Sequence, residues 1–169
     1  MDDIAVRLAT HEDAGAICVI YNQGIADRMA TLEIEPRTAE ERRAWMAARS
    51  PRHPVLVAEA DGGVIGWASL NAFNPRPAYD FVADFSVYVD RGWRGRGMGR
   101  RLLERLIEVA RVLGYHKLVL AALARNVAGR ALYERVGFAE VGVYREQGRL
   151  DGEWVDVLIM EKLLGDASS

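Results

Sequence analysis

"DRGWRGRGMGRRLLERL" occupies residues 90–106. It holds four glycines and six arginines and passes without a break into helical periodicity. Met98, Leu102, Leu103, Leu106, Ile107, Ala110 and Leu113 recur at the spacing of one helix face. Arg100, Arg101, Glu104, Arg105, Glu108 and Arg111 cover the other, and Gly114 stands where the helix should stop. Immediately upstream, "FVADFSVYVD" alternates as a strand does. Phe81, Ala83, Phe85, Val87 and Val89 share one face, and Asp84, Ser86 and Tyr88 the other. A strand therefore runs through a glycine-rich turn into an amphipathic helix.

Such a junction binds anions. A helix start leaves N–H groups unpaired and carries a partial positive charge. Glycine lacks a Cβ, so a phosphate can approach the main chain closely. Arg94, Arg96 and Arg100 add charge and forked donors. Two familiar phosphate loops do not fit. Gly92 and Gly97 have the Walker A spacing, but Met98 and Gly99 follow instead of Lys-Ser/Thr. The dinucleotide fingerprint started at Gly95 meets Arg100, and started at Gly97 it meets Leu102. What remains is Arg94-x-x-Gly97-x-Gly99.

Outward from this junction the chain reads as one mixed α/β domain in the order β-α-α-β-β-β-α-β-α-β-β. "IAVRLAT" is a first strand. Thr10 with Asp13, and Thr38 with Glu41, have capping-box spacing and predict the starts of two helices. Asp61-Gly62-Gly63 and Asp151-Gly152 mark hairpin turns. "HKLVLAAL" is a strand, and "NVAGRALYERVG" a short helix with Asn126 as cap and Gly137 as stop. "GDASS" is expected to fray.

The 169 residues carry a net charge of −2, which argues against a general nucleic-acid binder. Twenty of the 22 basic residues are arginine. The single cysteine, Cys18, reads as a small buried side chain. The three histidines are scattered, and the spacing of a metal site is missing. No apolar run approaches the roughly 20 residues of a membrane helix, and the first ten residues lack the pattern of a signal peptide. The expectation is a cytoplasmic protein with no metal, nucleic-acid partner or membrane span.

Arg94-x-x-Gly97-x-Gly99 resembles the pyrophosphate loop of the GCN5-related N-acetyltransferase (GNAT) superfamily. "RNVAGRALYERVGF" is similar to the next motif of that superfamily, with Asn126, Ala131, Tyr133, Gly137 and Phe138 in register. The resemblance implies a mixed, mostly antiparallel twisted sheet of about seven strands with about four helices. It implies a single acetyltransferase domain over residues 1–164, a tail at 165–169, acetyl-CoA as cosubstrate and acetyl transfer to an amine. It also implies that Val87, Tyr88 and Val89 flank the acetyl-pantetheine arm and that Val87 and Val89 pair with it. Arg94, Gly95, Arg96, Gly97, Met98, Gly99 and Arg100 would hold the pyrophosphate. Asn126 would contact pantetheine, and Tyr133 would stand near the sulfur as general acid.

"YNQGIADRMATLEIEPRT" with "PAYDFVADFSVYV" resembles the branch that acetylates phosphinothricin, arsinothricin and methionine sulfoximine. That implies a small amino-acid substrate and a homodimer, with Trp67 a candidate for the interface. A substrate α-amine is mostly protonated at pH 7 and must lose a proton before it attacks a thioester. Asp84 is the acid on the functional face of the central strand. Many relatives carry Glu there; Asp is one methylene shorter, which favours a bridging water. Arg76, Tyr79, Thr31 and Asn71 are the candidate substrate contacts, with Glu33 expected to be exposed. Arg125 and Arg130 are weaker candidates for the phosphates of CoA.

Overall fold

The structure is a computed structural model describing residues 3–165. Its elements are β1 (Ala5–Leu8), α1 (Ala14–Asp27), α2 (Ala39–Ala47), β2 (Val55–Ala60), β3 (Gly63–Ala72), β4 (Val82–Val89), α3 (Met98–Val112), β5 (Lys117–Leu123), α4 (Val127–Arg135), β6 (Ala139–Leu150) and β7 (Glu153–Leu163). Seven strands form one sheet in the order β1-β2-β3-β4-β5-β7-β6. Every neighbouring pair is antiparallel except β4 with β5.

The caps act as their sequence implies. Thr38 Oγ1 accepts from Glu41 N–H, and the Glu41 carboxylate accepts from Thr38 N–H, which starts α2. The Asp13 carboxylate accepts from Thr10 N–H, but one turn of 3-10 helix (His11–Asp13) precedes α1. Asp13 is buried, and the Arg7 guanidinium grips it at 2.8 and 3.0 Å, holding its carboxyl below the usual range.

Strand alternation divides the apolar residues between two layers. Leu56, Ala58, Ala68, Leu70, Ala83 and Phe85 join α3 in the larger core through Met98, Leu102, Leu103, Leu106, Ile107 and Ala110. Val55, Val57 and Trp67 point to the opposite face, under Ile17 and Ile20 of α1. Leu113, expected in the first core, is only partly buried because α3 has ended and Gly114 turns the chain away at φ 85°.

Two aromatic expectations are corrected. Trp67 is 1 % exposed, so it packs inside one copy of the chain rather than at an interface. Phe81 lies before β4 begins and is exposed; its carbonyl accepts from His116 and Lys117. Residues 166–169 of the predicted frayed tail lie outside the described residues.

Candidate active site

The one parallel pairing in the sheet is short. Val82, Ala83 and Asp84 face Lys117, Leu118 and Val119, and then β4 and β5 part. Beyond Asp84 the β5-facing edge of β4 has no strand partner, so a bound molecule can take that place. A cavity of about 1120 Å³ opens at this split. Phe85–Val89 line it from β4, and Leu120–Leu123 from β5. The cavity therefore passes between the two layers of the molecule.

On the α3 side lies the glycine turn. Gly95 and Gly97 sit at φ 77° and 81°, the left-handed region that disfavours a side chain. No atom lies within 4 Å of where a Cβ would stand on either, so their outer faces are open to a ligand. Gly97 caps α3, whose first N–H groups are directed out of the helix start. Gly95, Gly97, Met98, Gly99 and Arg100 all line the cavity.

The arginines of this turn are engaged with the protein. Arg94 donates to the Val89 carbonyl at 3.2 Å and forms an ion pair with Asp27, at the end of α1. Arg91 joins the same carboxylate at 2.7 Å, and together the two hold the Asp27 carboxyl below its ordinary range. Arg100 pairs with Glu104, and Arg96 stacks 4.8 Å over Trp93. Arg94 also lines the cavity, whereas Arg96 does not. The anion cradle is thus chiefly main chain, tied to α1 through Asp27.

Across the split, α4 contributes Asn126 and Tyr133. The Asn126 side chain accepts from Gly129 N–H at 3.0 Å and so caps the helix. Tyr133 packs edge-on against Phe85 and Phe138, 5.9 and 6.2 Å away. Burial, and then the nearby charge of Asp84, push its phenol up to about 12.

Asp84 stands where the parallel pairing ends, and its cross-strand partner is Asn71. Burial pushes its carboxyl up to about 6 against the opposing pull of hydrogen bonds from Asn71 and the Phe85 main chain. The orientation of Asn71 is set by its other partners. Its Oδ1 accepts from Arg49 Nη2 at 2.8 Å and from Ser69 Oγ at 3.0 Å, leaving Nδ2 to donate to Ser86 Oγ at 3.2 Å. Asn71 therefore presents donors, not acceptors, toward the β4 side.

Above Ser86 and Tyr88 lies an aromatic cluster that sequence reading missed. Trp67 and Tyr88 stack at 5.0 Å, with Tyr21 and Trp45 edge-on to this pair. Arg42 of α2 spreads over Tyr21 at 4.2 Å and Trp45 at 4.5 Å. It is 7 % exposed, lines the cavity and forms no ion pair among the described residues. Its spacing held a signal: Arg42 shares the i, i+3, i+4 face of Trp45 and Met46, which pack on the α1 side of the sheet. Asp27 was also missed; only the tertiary fold brings it to Arg94.

Of the expected substrate contacts, Thr31 and Asn71 line the cavity, and so does Glu33, half-exposed and paired with Arg37 at 3.0 Å. Arg76 and Tyr79 lie on the exposed loop between β3 and β4 and do not line it. Tyr79 instead packs on Phe73 at 5.4 Å. Arg130 pairs with Glu134 and Glu140, and Arg125 donates to the Arg28 carbonyl. Among the described residues no cluster of ligating side chains could hold a metal ion.

A split parallel pair, a glycine-lined helix start beside it and an acid at the fork define an acyltransferase that takes its acyl group from a phosphate-bearing thioester. The profile of the acetyltransferase (GNAT) family matches residues 22–138, and the chain belongs to that family. It is 35% identical over 159 residues to the L-methionine sulfoximine/L-methionine sulfone acetyltransferase of Pseudomonas paraeruginosa, covering 93% of this chain and 92% of that one. It is 33% identical to the L-amino acid N-acyltransferase of Escherichia coli K12, covering 96% and 95%. A phosphinothricin acetyltransferase of Sinorhizobium meliloti, solved in complex with acetyl-CoA, superposes with a TM-score of 0.91. That protein is 29% identical, with 96% of this chain and 89% of that chain covered. The enzyme is an N-acetyltransferase of this family and uses acetyl-CoA, for which the open glycine turn and the unpaired β4 edge are a fitting receptor.

Proposed function

We propose that the enzyme acetylates the α-amine of a small amino-acid analogue of the phosphinothricin, arsinothricin or methionine sulfoximine kind, and so detoxifies it. The observation that carries this reading is the Asp84 carboxyl at the fork of β4 and β5, raised to about 6 and facing the same cavity as Tyr133. An acceptor near 6 is ionised at neutral pH yet basic enough to take a proton from an ammonium through a bridging water.

Acetyl-CoA supplies the activated acetyl group. The amides of residues 95–100 hold its diphosphate at the α3 start, and Val87 and Val89 pair along its arm. Asp84 receives the proton of the substrate ammonium. The freed amine nitrogen bonds the acetyl carbon as the carbon–sulfur bond breaks. The Tyr133 hydroxyl gives its proton to the departing sulfur and regains one from the acylated nitrogen, which loses its second proton on becoming an amide; at about 12 this phenol is fully protonated at neutral pH. Thr31 and Asn71 contact the amino acid.

The family resemblance supports a homodimer, and edge strand β6 leaves Val141, Val143 and Tyr144 exposed for a second copy. We assign residues 1–164 to one catalytic domain and the protein to the cytoplasm, in keeping with its buried, unpaired Cys18.

The test is comparative turnover on phosphinothricin, arsinothricin, methionine sulfoximine, methionine and glutamate, followed by release of free thiol. Preference for the three analogues is expected. The likeness to an L-amino acid N-acyltransferase favours a second reading, in which ordinary L-amino acids are the substrates. Equal or faster turnover of methionine would establish it.

A further inference from the structure

We propose that Arg42 is the oxyanion-binding residue of the amine site and selects zwitterionic substrates; this rests on the amino-acid reading above. Arg42 is 7 % exposed as a residue, yet no carboxylate among the described residues pairs with its guanidinium. Asp13, a buried side chain of opposite charge, has Arg7 at 2.8 Å. Burying a lone cation is costly, so an unmatched one lining a cavity is a place for a ligand's charge. Burial lowers the Arg42 pKa, the sign expected of a cation without a counter-ion.

The geometry favours an anion with paired oxygens. The guanidinium carbon lies over the Tyr21 and Trp45 rings at 4.2 and 4.5 Å, with Trp67 at 5.7 Å. Nε is buried without an acceptor, which leaves that donor unspent beside the rings. A planar fork held among rings matches a carboxylate or a phosphinate edge-on.

The position also suits the proposed chemistry. Arg42 and Arg49 share Trp45, and Arg49 bonds Asn71, the cross-strand partner of Asp84. One cavity thus places an acid at the fork and an unmatched cation on the same face, the complement of an amino acid's ammonium and oxyanion. Arg49 does not compete for this role, because its Nη2 already donates to the Leu70 carbonyl and to Asn71.

The experiment uses Arg42→Met, whose unbranched side chain keeps the packing against the rings, and Arg42→Lys, which restores charge without the fork. Since a charged hydrogen bond contributes about 1.5–3 kcal/mol, KM for the amine should rise about tenfold or more in Arg42→Met. KM for acetyl-CoA and the melting temperature should stay near wild type, and Arg42→Lys should recover part of the loss. A rise confined to phosphinothricin assigns the side-chain oxyanion to Arg42; an equal rise with methionine sulfoximine assigns the α-carboxylate. A folded Arg42→Met enzyme with unchanged amine KM overturns the proposal and leaves the acetyltransferase reading intact. Should Arg42→Met fail to fold, unchanged amine KM in Arg42→Lys overturns it. Binding of both analogues to the CoA complex, read by fluorescence of Trp45 and Trp67, separates the two claims. Binding without turnover in wild type, lost in Arg42→Met, sustains the anion site while the function fails. No binding of either analogue to wild type overturns both.

Discussion

Asp84→Asn removes the acid at the fork of β4 and β5 while keeping its shape. Turnover at pH 7 should fall about a hundredfold or more, the usual contribution of a positioned base. The residual rate should climb with pH as free amine accumulates. In the wild type kcat/KM should fall as pH drops through about 6, where the Asp84 carboxyl takes up a proton. The same raised value has a consequence for stability. A carboxyl protonated more readily in the fold than in the unfolded chain stabilises at low pH, and that contribution is lost as pH rises through about 6. Asp84→Asn should therefore melt higher than wild type above pH 7 and no higher below pH 4, as calorimetry across pH would show. Tyr133→Phe keeps the ring contacts with Phe85 and Phe138 and removes the proton; kcat should drop about tenfold or more with little change in KM.

At the scale of elements, the glycine turn and α3 act as one unit. Gly97 holds φ 81° and caps the helix, with open space beside its Cα. A branched side chain there would strain the turn and stand where a diphosphate must come. Gly97→Val should weaken acetyl-CoA binding about tenfold or more by titration calorimetry, and wild-type affinity would remove the cradle from the account. This junction was legible in sequence because periodicity changes from two to near four across three alternating glycines. The engagement of Arg94 with Asp27 was not legible: the two are 67 residues apart, and only the end of α1 meeting the turn joins them.

For the whole molecule, the larger core is organised on α3. Leu102 is fully buried there, so Leu102→Ala should cost about 2–5 kcal/mol in urea unfolding, through lost contacts and the cavity left behind. Assembly is a separate test: sedimentation should give twice 18.8 kDa, and a monomer at micromolar concentration would refute the proposed dimer.

Local chemistry settled much of this protein in advance. The order of elements, both N-terminal caps, the hairpin turns, the α3 core face and Asp84 on the functional side of its strand depend on neighbours a few residues apart. Tertiary structure alone decided where β4 and β5 separate, because that depends on how two twisted strands pack against different helices. It likewise decided that Arg42 is buried and unmatched, that Trp67 lies inside rather than at a surface, and that Arg76 stands off the cavity. Charge and burial are properties of three-dimensional neighbours, and α2 meets β3 and β4 only when the sheet has formed.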